Sequence, residues 1–202
     1  MINGYNKSDI YDNIAWILEA RTSPELKGRP CVFISHKYED KSDCREIANY
    51  LSKAGIDYYL DDDDDELQMA VATGDAVKIT ESIKKGINKS THMLVVVSSK
   101  TYKSQWVPFE VGYGHSSLID TSADINLYSS KVKLSVLTLK DIAESDLPEF
   151  MQVGNIIRGT KSLNTYIADV LNRIEKSIIN ESRIFSNSQS SHPLDNVLNW
   201  QL

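Results

Sequence analysis

The sequence predicts a doubly wound α/β domain, a five-stranded parallel sheet with helices on both faces. Three observations carry this. Short apolar runs, CVFIS at 31–35, HMLVVVS at 92–98 and KLSVLTL at 133–139, suit strands buried on both faces and are too short for helices. Between them lie stretches whose apolar residues recur at helical spacing. Strand and helix alternate five times, which implies parallel strands joined by right-handed crossovers.

Residues 8–20, SDIYDNIAWILEA, read as an amphipathic helix capped by Ser8, with Ile10, Ile14, Ile17 and Leu18 on one face. RTSPELKGRP (21–30) reads as a linker, with two prolines and a glycine. Strand one is 31–35. A helix over 43–54 follows, with Asp43 as cap, Glu46 three residues on, and Ile47, Ala48, Leu51 and Ala54 as its stripe. Gly55 stops it. IDYYL (56–60) is strand two. Residues 61–74 read as a long loop ending in Gly74. Asp75 then caps a helix with the stripe Ala76, Ile79, Ile83 and Ile87.

Residues 92–98 form the strongest and most central strand. Ser104 caps the next helix, QWVPFEVGYG, where Pro108 falls in the first turn and its missing N–H costs little. Strand four is 133–139 and GNIIRG (154–159) is a weaker strand five. One long helix is expected from Ser162 to about Asn180, and after Glu181 a Ser/Asn-rich flexible tail with a short helix around 193–200. The domain division is a helical extension and linker at 1–29, the α/β domain at 30–178 and a tail at 179–202. Five such units predict the flavodoxin-like order 2-1-3-4-5. Ligands then bind where the order reverses, at the carboxyl ends of strands one and three.

Composition narrows the function classes. The chain has 202 residues, 41% of them hydrophobic and 25% charged, enough for one domain with a real core. A net charge of −6 argues against general nucleic-acid binding. Asp61–Glu66 supplies six of the 28 acids, and the remaining 22 balance the 22 bases, so the acidity is local. Two isolated cysteines, Cys31 and Cys44, give neither a disulfide framework nor a zinc spacing. The N-terminal residues lack the apolar core of a signal peptide, and no apolar stretch approaches the ~20 residues of a membrane span, so a cytoplasmic setting is expected.

Three segments converge at the predicted crevice: SHKYED (35–40), the acidic run after strand two, and SSKTYKSQWVPFE (98–110). Trp106 and Glu110, four apart, share a helix face. A carboxylate one turn into a helix beside an indole suits a cationic transition state, as in cleavage of a glycosidic bond. The spacing alone equally fits a core tryptophan and a surface acid. GYG (112–114) lacks the third glycine of a dinucleotide fingerprint, and no Walker sequence is present. The histidines, at 36, 92, 115 and 192, have no metal spacing, and His115 lies too far round the helix from Glu110 to join it. The aspartate run fits no calcium-loop spacing. Repulsion between like charges should keep it extended and solvated, or else free to dock a basic surface such as Lys84 and Lys85 of another copy.

CVFISHKYEDK, a strand ending YYLD, and ESIKKGINKSTHMLVVVSSKTYKSQWVPFEVGYG together resemble a Toll/interleukin-1 receptor (TIR) domain, closer to the stand-alone bacterial type than to animal adaptors. The resemblance covers about residues 30–178 and rests on the FISH box, the I-x-x-x-I-x-x-S-T-H-x-L-V-V-V-S stretch and the W-x-x-x-E box. It implies the flavodoxin-like fold. For many members it also implies cleavage of NAD+ at the nicotinamide–ribose bond, with NAD+ as substrate and no cofactor or metal. Carried over, the catalytic glutamate is Glu110 and the pocket tryptophan is Trp106. His36, Lys37 and Tyr38 line the site. Phe33 and Ser35 belong to the first box, Phe33 equally fitting the core or the site, Asp61 is the acid at the end of strand two, and Gly74 precedes the second helix.

The segment 61–74 resembles the mobile loop that acts as lid and assembly surface. It is longer and more acidic here than in the family, which puts contacts within it in doubt. His36 stands where Tyr or Phe is frequent, Pro108 is uncommon inside the tryptophan–glutamate box, and the N-terminal helix is an addition. The implied partners are NAD+, further TIR copies in a homo-oligomer, and a separate effector switched on by a cyclic or conjugated ADP-ribose product, as in antiphage systems such as Thoeris. A non-catalytic interaction scaffold and a nucleoside deoxyribosyltransferase-like enzyme are the competing readings.

Overall fold

A computed structural model describes residues 3–20, 26, 28–119, 132–140, 142–188, 191–200 and 202, with the side chains of 115–119 and 144 excepted. Five parallel strands, β1 (Cys31–Ser35), β2 (Asp57–Tyr59), β3 (His92–Val97), β4 (Lys133–Thr138) and β5 (Asn155–Ile157), form one sheet in the order β2-β1-β3-β4-β5. This is the expected flavodoxin-like topology. In β1 and β3 every residue is buried, as expected of strands covered on both faces. The register pairs Ser35 with Val95, so β1 and β3 end side by side.

Alternation along each strand divides the core. Val32, Ile34, Leu94, Val96 and Leu137 pack against α2 (Lys41–Ala54), α6 (Thr160–Leu171) and α7 (Glu175–Asn180). Phe33, Met93, Val95, Val97 and Val136 face α3 (Asp65–Thr73), α4 (Ala76–Asn88) and α5 (Trp106–Ile119). Gly55 closes α2 in the left-handed region, with φ 93°. Asp75 caps α4 by accepting from the Lys78 N–H at 3.1 Å, and Ser104 does the same for α5 through Val107.

Several elements differ from expectation. The N-terminal helix, α1 (Ile10–Ala20), is capped by Asp9, which accepts from the N–H groups of Tyr11 and Asp12, while Ser8 donates to Asn6. Its apolar stripe faces solvent: Ile10, Ile14, Ile17 and Leu18 are 44–56% exposed. Residues ahead of it extend the sheet, since Tyr58 donates to the Tyr5 carbonyl and Lys7 donates to the Tyr58 carbonyl. Gly4 must be glycine there, because a Cβ would lie 1.7 Å from the Ile56 carbonyl oxygen. The expected linker falls largely outside the described residues.

Helix α2 starts two residues before the expected Asp43 cap, after a single turn over Tyr38–Asp40. The segment 61–74 is not a loop. It holds a turn at Asp61–Asp63 and then α3, and the aspartates themselves explain why. Asp64 accepts from the Leu67 N–H, Asp65 and Glu66 sit at the positive end of the helix, and Leu67 and Ala70 are buried.

The single long helix expected after residue 162 is two, α6 and α7, broken at Asn172, whose φ of 50° a short polar side chain tolerates. The tail after Glu181, expected to be flexible, packs into the core through Ile184, Leu194, Val197 and Leu198, and its residues 193–197 form turns rather than a helix. No helix among the described residues is long and apolar enough to cross a membrane.

Candidate functional site

The neighbouring carboxyl ends of β1 and β3 open into a cleft of about 460 Å³. Its lining comes from five places. His36, Lys37 and Tyr38 follow β1, and Asp61 and Asp62 follow β2. Leu67, Gln68 and Val71 come from α3, with Ile79 and Ile83 of α4 behind them. Lys103, Ser104, Gln105, Trp106 and Glu110 come from the β3–α5 connection and α5.

Glu110 lies deepest and is 2% exposed. The Ser35 hydroxyl, at the last residue of β1, donates to its Oε2 at 2.5 Å. Burial raises the Glu110 carboxyl to about 8, the negative Asp61 adds to the rise, and the Ser35 hydrogen bond opposes it. Asp61 is raised for the same first reason, burial, with Asp62 adding and His36 opposing. The cleft therefore holds acids that resist ionising until something positive arrives. Trp106 sits at the mouth, 37% exposed and edge-on to Phe109 with ring centroids 6.0 Å apart. Tyr38, 61% exposed, also lines the cleft.

His36 is nearly inaccessible. Its Nδ1 lies 3.2 Å from the Ile34 carbonyl and 3.6 Å from Asp61 Oδ1. The turn after β1 is held by Asp40, 1% exposed, which accepts from the Ser98 hydroxyl and, at 2.8 Å, from Lys100 Nζ. That carboxylate is thus occupied by the residues that follow β3, and it makes no capping bond to α2.

Of the residues singled out in the sequence, Glu110, Trp106, His36, Lys37, Tyr38 and Asp61 line one cleft, with Ser35 on its floor. Phe33 does not reach it: it is wholly buried and stacks on Tyr59 at 5.6 Å. Gly74 caps the far end of α3 with φ 68° and lies outside the lining. The sequence reading missed the α3 contribution. Leu67, Ala70 and Val71 have the spacing of a helical stripe, but the preceding acids masked it. It also missed Asp40, for which only the turn geometry provides a signal.

Fold and cleft define an α/β protein of flavodoxin-like topology whose crevice is built round a buried carboxyl, one turn into the helix after β3. The sequence profile of the TIR domain matches residues 32–138, just over half of the chain. The chain belongs to the TIR-domain family. Among curated proteins it is 26% identical over 151 residues to a probable 2′ cyclic ADP-D-ribose synthase of Methanobrevibacter olleyae, covering 74% of this chain and 39% of that protein. It is 36% identical over 88 residues to an NAD(+) hydrolase of Paracoccus denitrificans, covering 42% of this chain and 27% of that one. It is 30% identical over 91 residues to a 2′ cyclic ADP-D-ribose synthase of Acinetobacter baumannii, covering 45% and 31%. The chain thus spans well under half the length of these relatives.

Proposed function

We propose that this protein cleaves the N-glycosidic bond between nicotinamide and ribose in NAD+. The observation that carries the reading is the position of Glu110: a carboxyl shut away from water, one helical turn below Trp106, at the strand-order reversal. Relatives named as NAD(+) hydrolase and cyclic ADP-ribose synthases support it.

When the bond breaks, its electron pair goes to the pyridinium nitrogen, nicotinamide leaves neutral, and the ribose carries the positive charge. A Glu110 carboxylate facing that cation stabilises it in a dry cleft far more than in water. The resting carboxyl is largely protonated at neutral pH, so entry of the cationic nicotinamide end drives its proton out to solvent. Charge thereby selects for the oxidised cofactor over its uncharged-ring reduced form.

The released ADP-ribosyl cation is captured by water, by an atom of the same molecule or by a second acceptor. The names of two of the relatives favour a cyclic product. A role as a signal to a separate effector in antiphage defence is part of the same reading and rests on the resemblance of the sequence boxes alone. Assembly of several copies is part of this reading, and the exposed Met69 and Val71 of α3 and Val77 of α4 offer an apolar surface for it.

The test is incubation with NAD+, in dilute and in self-assembled protein, with products resolved by chromatography and mass spectrometry. Wild type should release nicotinamide, and E110Q should lose at least ~100-fold of that rate. Equal rates in the two proteins, or none in either, overturn the reading.

A further inference from the structure

We propose that His36, Asp61 and Asp62 form a site for a divalent transition-metal ion in the wall of the cleft. One imidazole nitrogen and one oxygen from each carboxyl lie within 4.8 Å of one another. They come from two separate connections, His36 from the exit of β1 and the acids from the turn after β2. Each also has a buried polar atom with no hydrogen-bond partner: His36 Nε2, Asp61 Oδ1 and Asp62 Oδ2. The His36 side chain is 1% exposed. Folded proteins leave few buried polar atoms unpaired, and one on each of three neighbouring residues calls for a ligand.

The charge balance says what kind. Asp61, Asp62 and Glu110 line the same cleft. Cations near the acidic run have other partners: Arg45 bonds Asp63, Lys85 bonds Glu66 at 2.7 Å, and Lys41 donates to the Tyr38 hydroxyl at 3.0 Å. A water molecule would fill the hydrogen bonds but bring no charge to the clustered acids, and of the lysines in the cleft Lys37 already faces Glu39 at 3.5 Å. One imidazole with two carboxylates suits Mn2+, Co2+ or Zn2+ better than Ca2+ or Mg2+. Bond lengths near ~2.0–2.2 Å draw the donors closer than they stand here, so the Asp61–Asp63 turn tightens on binding. If the NAD+ reading holds, the ion occupies the wall that receives the cationic nicotinamide end and therefore competes with substrate.

The probe is Mn2+ alone, titrated into the full chain after chelator treatment and desalting, with free Mn2+ read by electron paramagnetic resonance. Saturable binding of one ion per chain is expected. H36A and D62N should each weaken it by at least about tenfold. D65N and E66Q, which remove charge from the same run but outside the cluster, should leave it unchanged. If H36A fails to fold, D62N, a half-buried turn residue, carries the test. Lack of saturable binding up to millimolar Mn2+, or equal weakening by D65N and E66Q, overturns the proposal. NAD+ cleavage is assayed separately in chelator. Its absence would count against the NAD+ reading and leave the Mn2+ result standing.

Discussion

At the scale of single residues, the proposed NAD+ cleavage turns on one carboxyl and one hydroxyl. Glu110 is held neutral by burial and by Asp61, and Ser35 is the partner that opposes this. Rate and pH are therefore linked with a definite sign. For the free enzyme kcat/KM should rise as Glu110 ionises, with an inflection near 8, measured in chelator. Removing the hydroxyl takes away the hydrogen bond that lowers this group, so S35A should move the inflection upward; a downward shift would contradict the assignment. Stability runs the other way. A carboxyl raised above its unfolded value binds extra protons in the fold, so the fold loses stability as pH climbs from about 4.5 to about 8. E110Q cannot be charged. It should therefore melt several degrees higher than wild type at pH 8, with a smaller gain at pH 5. Trp106 and Glu110 were legible as a pair from their spacing. Ser35 as the partner of Glu110 was not, since that contact joins residues 75 apart and depends on strand register.

At the scale of elements, α3 shows how a local rule was misapplied. Five adjacent aspartates read as mutually repelling and solvated, yet three of them find specific partners. Asp61 turns to His36, Asp63 to Arg45, and Asp64 caps α3 while accepting from the buried Tyr59 hydroxyl. Repulsion is outweighed because the acids lie at a turn and a helix start, where the helix dipole favours negative charge and Arg45 and Lys85 bring opposite charge. The strands and their order were plain in the sequence because fully buried parallel strands are apolar throughout. This helix was not, because its apolar stripe is short. D64A removes a cap and orphans the Tyr59 hydroxyl, so it should cost ~2–3 kcal/mol in a denaturant melt. D65A, at an exposed neighbour, should stay within about 0.5 kcal/mol. Equal losses from the two would mean that net charge, and not capping, sets the stability of α3.

At the scale of the whole molecule, the C-terminal segment belongs to the fold, although its Ser/Asn-rich composition reads as disorder. A few apolar residues in a polar stretch are a weak signal, and their partners lie far away in sequence. Ile184, Leu194, Val197 and Leu198 are at most 4% exposed and complete the core under α2 and α6. A polar hub fastens them. The Tyr50 hydroxyl donates to Asn164 at 2.8 Å, accepts from the Phe185 N–H at 3.0 Å and lies 3.0 Å from His192 Nε2. Asn164 in turn donates to the Phe185 carbonyl at 2.7 Å. Burial of four such aliphatic side chains contributes roughly 6–12 kcal/mol, an upper figure because the unfolded chain already hides part of that area. Whole domains are stable by only about 5–15 kcal/mol. A chain ending at Glu181 would lose that contribution and leave Tyr50 and Asn164 without their tail partners. It should show no cooperative thermal transition and be digested rapidly by protease under conditions where the full chain resists. A truncated protein that melts cooperatively within a few degrees of the full chain would show that residues beyond Glu181 only lie on the domain. The same truncation leaves every cleft-lining residue in place, so any lost NAD+ cleavage would then have to come through unfolding rather than through the site.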